Sequence, residues 1–145
     1  MKVFEKTFEI RWADLDPNFH LRHSAYADLC AATRFQYLAS IGYTMEKFAK
    51  IKIGPVIFKE TTSYIREVLP NDSVKVNCKI AGLSKDGRKW KMFHEIFRES
   101  DNKLSATIEI DGAWLDVVQR KVVSPPDDLK TIMTTLPQTD QFVEL

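Results

Sequence analysis

Between Val3 and Trp12 the chain follows a period of two. Phe4, Phe8, Ile10 and Trp12 share one parity, while Glu5, Thr7, Glu9 and Arg11 share the other, the period of a half-buried strand. Pro17 has no N–H to give a ladder, so residues 13 to 23 are expected to form an ordered loop. From Ser24 the period lengthens to that of a helix, with an apolar stripe of Ala25, Leu29, Ala32, Phe35, Tyr37 and Leu38. Ser24 is the candidate N-cap, and Gly42 can take the left-handed conformation that closes the helix. A second, short helix is expected over residues 44 to 50.

Four further segments read as strands: 54 to 68, 73 to 84, 89 to 99 and 104 to 118. The turns between them are explicit in "LPND", "KDG" and "SDNK", which predicts an antiparallel meander. After Pro125 and Pro126 the chain offers a short C-terminal helix, and the tail beyond Pro137 is expected to be less regular. The fold class is therefore α+β. One long early helix must be covered by an antiparallel sheet of five or six strands, most simply a curved sheet wrapped around it. An exposed edge of that sheet would be resolved by pairing with a second copy, so a homo-oligomer is expected.

Length and composition narrow the class without assigning a function. The 145 residues suit one domain with a single core. With 21 basic and 20 acidic residues the formal net charge is +1, which supplies no global field for nucleic acid or an anionic membrane. Cys30 and Cys78 lack metal-type spacing and read as buried thiols of a reducing compartment. No apolar run reaches the roughly 20 residues of a membrane span, and the alternating start is unlike a signal-peptide core, so a cytoplasmic location is expected.

The junction "RWADLDPNFHLRHSAYADL" concentrates titratable side chains between the first strand and the helix. Together with "TTSYIREVLPNDSVKV" and "SATIEIDGAWLDVVQRKVVSPPDDL" it resembles the hot-dog fold acyl-CoA thioesterases of the 4-hydroxybenzoyl-CoA thioesterase type, over nearly the whole chain. The resemblance implies hydrolysis of an acyl thioester of CoA or of an acyl carrier protein to a carboxylic acid and a free thiol. It also implies active sites between the subunits of a homodimer or homotetramer, without metal or other cofactor. Alternatives of other classes are a non-catalytic acyl-binding or acyl-carrier-protein-binding module and a hot-dog dehydratase.

By position, the resemblance makes Asp16 the nucleophile or general base, and the backbone N–H of His23 the group that polarises the thioester carbonyl. A carboxylate beside a helix N-terminus suits this chemistry: one attacks or activates water, the other stabilises the developing oxyanion. Read from the residues alone, Asp16 is first of all a turn or capping residue before proline, and the resemblance reverses that order. Asp14 is expected to be structural, and Asp28 is a second candidate carboxylate. His20 keeps the family's histidine position, whereas Phe19 stands where the family commonly has glycine, and Arg22 and His23 where it has asparagines.

A CoA ester calls for a basic patch, for which Lys85, Arg88, Lys89 and Lys91 around the "KDG" turn are candidates. Tyr64 and Phe58, with Phe48, Ile57 and Trp90, are candidates for the acyl wall. His20-x-x-His23 with Asp16 has metal-like spacing, but no further ligand cluster accompanies it. His94 reads as a strand residue, and a G-x-S-x-G elbow and phosphate-binding glycine motifs are absent.

Overall fold

A computed structural model describes residues 2–145. Strand β1 (Phe4–Glu9) leads through a 3₁₀ turn at Trp12–Asp14 into the long helix α1 (His23–Ser40) and the short α2 (Met45–Ile51). Four long strands follow: β2 (Ile53–Tyr64), β3 (Ser73–Leu83), β4 (Lys89–Arg98) and β5 (Leu104–Asp116). The chain closes with β6 (Lys121–Val122), α3 (Asp127–Thr135) and β7 (Gln138–Glu144).

The sheet runs β1-β3-β4-β5-β2, antiparallel throughout that path, with β6 added to the end of β5. This is the expected hot-dog arrangement, in which the sheet curls around α1. Two details differ from the sequence reading. The sheet has seven strands, and the tail expected to be irregular is β7, which pairs parallel to β3 through Gly82 and Val143. The β1 ladder occupies only Ser73–Cys78 of β3, which leaves the rest of that edge for the tail to cover.

Strand β1 is also shorter than its alternation predicts. The backbone N–H of Arg11 donates to Asp14 Oδ2 at 3.0 Å, and the Arg11 guanidinium grips the same carboxylate at 2.8 Å. That turn breaks the ladder after Glu9 and leaves Trp12 89% exposed instead of in the core. Helix α1 starts at His23, with Arg22 as N-cap and no side-chain cap. Ser24 is displaced from the cap because the Arg22 N–H donates to Asp14 O at 2.7 Å, fixing the chain one residue earlier.

The buried face of α1 is Ala25, Tyr26, Cys30 and Thr33, rotated from the expected stripe, and Phe35 is half exposed. Thr33 can sit there because its hydroxyl donates to Leu29 O within the helix. At the other end Gly42 takes φ +91, while Gly42 N–H and Tyr43 N–H donate to Ala39 O and Leu38 O. This pair of bonds satisfies the last helix carbonyls in the manner of a Schellman cap.

Alternate residues of the sheet form the opposing wall: Val74, Val76, Cys78 and Ile80 of β3, Trp90, Met92 and Ile96 of β4, and Ala106, Ile108 and Ile110 of β5. Both cysteines are free and buried, and burial pushes their thiol pKa values upward. Strand β2 pairs only with β5 among the described residues, so its outer edge is open. Its register shifts between Ile57 and Lys59, leaving Phe58 as the extra residue of a bulge, 63% exposed. Among the described residues no helix is long and apolar enough to cross a membrane.

Candidate active site

The loop before α1 is built on its own hydrogen bonds. Asp16 N–H donates to His20 O at 2.9 Å, and Phe19 N–H returns to Asp16 O at 3.0 Å. The Asp16 carboxylate faces the same loop, where Oδ1 accepts from Asn18 N–H at 2.9 Å and from His20 N–H at 3.2 Å. The turn reading of Asp16 is thus seen directly in its hydrogen bonds. One oxygen closes an Asx-type turn, and the other, Oδ2, has no hydrogen-bond partner among the described residues. The turn orients the carboxylate and leaves one oxygen for other work.

Closing that turn requires Phe19 at φ +59, the left-handed region that glycine enters freely. A bulky side chain there costs on the order of 1–2 kcal/mol. The glycine common at this position in the proteins the sequence resembles thus has a physical reason, and this chain meets the same backbone demand with a strained residue.

Asp16, His20, His23 and Tyr64 are brought together around one cleft of about 250 Å³, with Leu21, Tyr26, Ile65, Arg66 and Glu67 completing its wall. His23 is the first residue of α1, and its N–H and that of Ser24 lie among the donors a helix start leaves without an intrahelical acceptor. Over 18 residues the aligned peptide dipoles add positive potential at that end. The Tyr64 hydroxyl donates to His23 O at 3.1 Å, which ties the end of β2 to the start of the helix. His20 Nε2 stands 3.7 Å from Glu67 Oε2.

The other carboxylates of the junction have different duties. Asp14 is 4% exposed and is held by the Arg11 guanidinium and, at 4.0 Å, by Arg22. The hydrogen bond from Arg11 lowers its pKa below the ordinary carboxylate value, against the opposing effect of burial. Asp28 points outward, 3.7 Å from Arg22, and does not line the cleft.

The expected basic patch is elsewhere. Tyr64, Ala106 and Ile96 lie in register at the cleft end of the sheet, whereas Val56, Ala113 and Lys89 lie in register seven residues away, about 23 Å along the strands. Arg88 pairs with Asp86 at 3.3 Å, and Lys91 lies 3.4 Å from Glu109 and 3.6 Å from Asp111. This chain therefore does not gather Arg88, Lys89 or Lys91 at its own Asp16 cleft, and Phe58 does not line it either. Arg66, Glu67 and Tyr26 are cleft residues that the sequence reading missed. The signal for the first two was "YIRE" itself, two charges directly after a strand that ends in the cleft tyrosine.

The sequence profile of the thioesterase-like superfamily matches residues 10–132, a span that includes the Asp16 loop, α1 and the sheet strands β2 to β5. No curated protein matches the chain. Among solved structures, the Staphylococcus aureus hypothetical protein SAV2348, determined in complex with CoA, superposes with a TM-score of 0.84. It is 17% identical, with 99% of this chain and 94% of that one covered. Slr0204, a 1,4-dihydroxy-2-naphthoyl-CoA thioesterase from Synechocystis, gives a TM-score of 0.82 at 15% identity, over 93% of this chain and 98% of that one. BH1999, a gentisyl-coenzyme A thioesterase, gives 0.76 at 17% identity, over 87% and 98%. At these identities the superpositions speak for the fold, and the profile match speaks for the family: the chain belongs to the thioesterase-like superfamily and has the hot-dog fold.

Proposed function

We propose that this protein is an acyl-CoA thioesterase in which Asp16 acts on the thioester carbonyl and the N-terminus of α1 stabilises the oxyanion. The observation that carries the reading is the divided Asp16 carboxylate, with Oδ1 fixed by two loop N–H groups and Oδ2 without a partner in a cleft shared with the helix start. Family membership and the CoA complex of a structural relative support a CoA ester as substrate.

In the reaction, Oδ2 either takes a proton from water as that water adds to the carbonyl carbon, or adds to the carbon itself. In the first case the tetrahedral oxyanion collapses with loss of the C–S bond, and the CoA thiolate leaves and is protonated. In the second, the same departure leaves an Asp16–acyl anhydride, which water cleaves to the acid and the regenerated carboxylate. In both, the His23 N–H is placed to receive the oxyanion, and such donors typically contribute a hundredfold or more to rate. His20 and Glu67 face each other across the cleft wall, 3.7 Å apart.

The open edge of β2, with Ile57, Phe58 and Tyr64 half or more exposed, supports pairing with a second copy of the chain, which would close the cleft from the other side. The test is thiol release from a panel of aryl and short-, medium- and long-chain acyl-CoA esters, with the oligomeric state measured on the same sample. Hydrolysis of at least one ester by an oligomer is expected. Absence of release from every ester would favour acyl binding without catalysis.

A further inference from the structure

A second cavity, of about 390 Å³, lies between the C-terminal half of α1, α2 and the inner face of β2, β4 and β5. It shares no lining residue with the Asp16 cleft and sits at the other end of the same helix, Arg34 being eleven residues beyond His23, about 16 Å of helix. Its size is that of an ordinary small-molecule site. The walls are apolar, with Phe35, Leu38, Phe48, Met92 and Trp114 among them, and one charged side chain lines it, Arg34.

Arg34 has no carboxylate within 4.0 Å among the described residues. Its one side-chain hydrogen bond among the described residues is to His94 Nε2, 3.0 Å from Nη1. The other ring nitrogen, Nδ1, is 2.6 Å from Asn77 O. A carbonyl can only accept, so Nδ1 carries the proton and Nε2 receives the Arg34 hydrogen bond as a neutral acceptor. That spends one of the five guanidinium N–H donors and none of the charge. Glu60 acts on Arg34 through space without touching it, and burial draws its pKa downward, though a guanidinium stays charged.

A largely buried cation without a counter-ion is costly, and a fork of free donors fits a carboxylate. The other polar groups of the wall are hydroxyls without charge: that of Tyr43 already donates to Asp128, and Tyr37 contributes a phenol, so Arg34 is the group that selects for an anion. At the rim Phe35 and Met45 are exposed, so an apolar ligand meets an apolar entrance.

We propose that this cavity binds an amphipathic carboxylate, with the alkyl or aryl body between α1, α2 and the sheet and the carboxylate seated on Arg34. The site goes beyond the thioesterase reading, and its binding test does not require turnover. Two sources share the chemistry, a free carboxylic acid and the far carboxylate of a dicarboxylic acyl thioester.

The experiment titrates the full chain with decanoate, decan-1-ol and decylamine, following tryptophan fluorescence, which Trp90 and Trp114 report. Decanoate is expected to bind at least tenfold tighter than the alcohol or the amine. Arg34→Met is expected to reduce decanoate to the level of decanol, and decanol itself to be unchanged. Ala31→Trp, at an exposed helix position lining the cavity, keeps the guanidinium and should weaken all ligands by filling the space they need. The proposal is overturned if no ligand binds, if decanoate and decanol bind equally to wild type, or if decanoate ignores Arg34→Met or Ala31→Trp. Should Arg34→Met not fold, wild-type selectivity and Ala31→Trp still decide. Comparing hydrolysis of decanoyl-CoA with that of its ω-carboxy analogue then separates the sources. A preference for the analogue that is lost in Arg34→Met assigns the far end of the acyl group, and no preference assigns the free acid.

Discussion

The Tyr64 hydroxyl donates to the backbone carbonyl of His23 at 3.1 Å, so the last residue of the edge strand holds the first residue of the long helix. Its ring also packs edge-on against Tyr26, with centroids 5.2 Å apart. Tyr64→Phe keeps that packing and removes only the tether. The unfolding free energy should change by less than about 1 kcal/mol, because the bond is largely exposed. Thiol release should fall roughly tenfold, since the helix start is no longer fixed against the cleft. Denaturant unfolding and steady-state kinetics on one preparation check both.

The role assigned to the His23 N–H can be isolated by proline. His23 occupies the first helical position, where proline is well tolerated, and Arg22 already has the extended backbone, ψ 145, that a following proline requires. His23→Pro should therefore leave α1 intact by circular dichroism and lower kcat by at least about a hundredfold. His23→Ala, which keeps the N–H, should retain most activity. Equal activity in the two variants would remove this donor from the mechanism.

The buried imidazole of His94 makes stability depend on pH. Burial and the neighbouring Arg34 push its pKa from 6.5 down to about 4, while the contact with Asn77 O opposes them weakly. The unfolded chain therefore binds a proton near pH 6.5 that the folded chain refuses. This contribution is complete above pH 6.5 and is lost progressively as pH falls towards 4, at about 1.4 kcal/mol per unit. Urea unfolding at pH 7 and pH 5 should show about 2 kcal/mol of loss in wild type that His94→Gln lacks.

Asp14 contributes over a lower range. Its pKa is depressed chiefly by the Arg11 hydrogen bond, so its stabilisation is present above the ordinary carboxylate value and disappears as the group is protonated below about pH 4. Asp14→Asn should cost about 1–3 kcal/mol at neutral pH, because the carboxylate is buried and accepts three bonds from Arg11. The difference between variant and wild type should shrink as pH is lowered to 3, which thermal melts across that range can measure.

The local chemistry of the chain was readable in one dimension. Pro17, the two aspartates and the histidines mark a loop whose bonds join residues two to four apart, and such turns follow from neighbours alone. Gly42 and the strand turns were legible for the same reason. What failed depends on distant partners. Trp12 left the strand parity because Arg11 and Asp14 close a turn before it, and the buried face of α1 was set by the sheet it meets. Strand β7 occupies the part of the β3 edge that the β1 ladder, which stops at Cys78 of β3, leaves uncovered. Arg34 gave a faint signal, a lone charge inside "CAATRFQYL", but its pairing with His94 spans sixty residues of sequence.

The central claim rests on Asp16, and asparagine is its sharpest probe. Asp16→Asn keeps an oxygen that accepts from Asn18 N–H and His20 N–H, so the loop is retained, while the charge and basicity of the second oxygen are lost. Thiol release from the best acyl-CoA ester should fall at least about a hundredfold, with the melting temperature and oligomeric state unchanged. Undiminished release by a folded Asp16→Asn protein would contradict the account and move the chemistry to another group of the cleft.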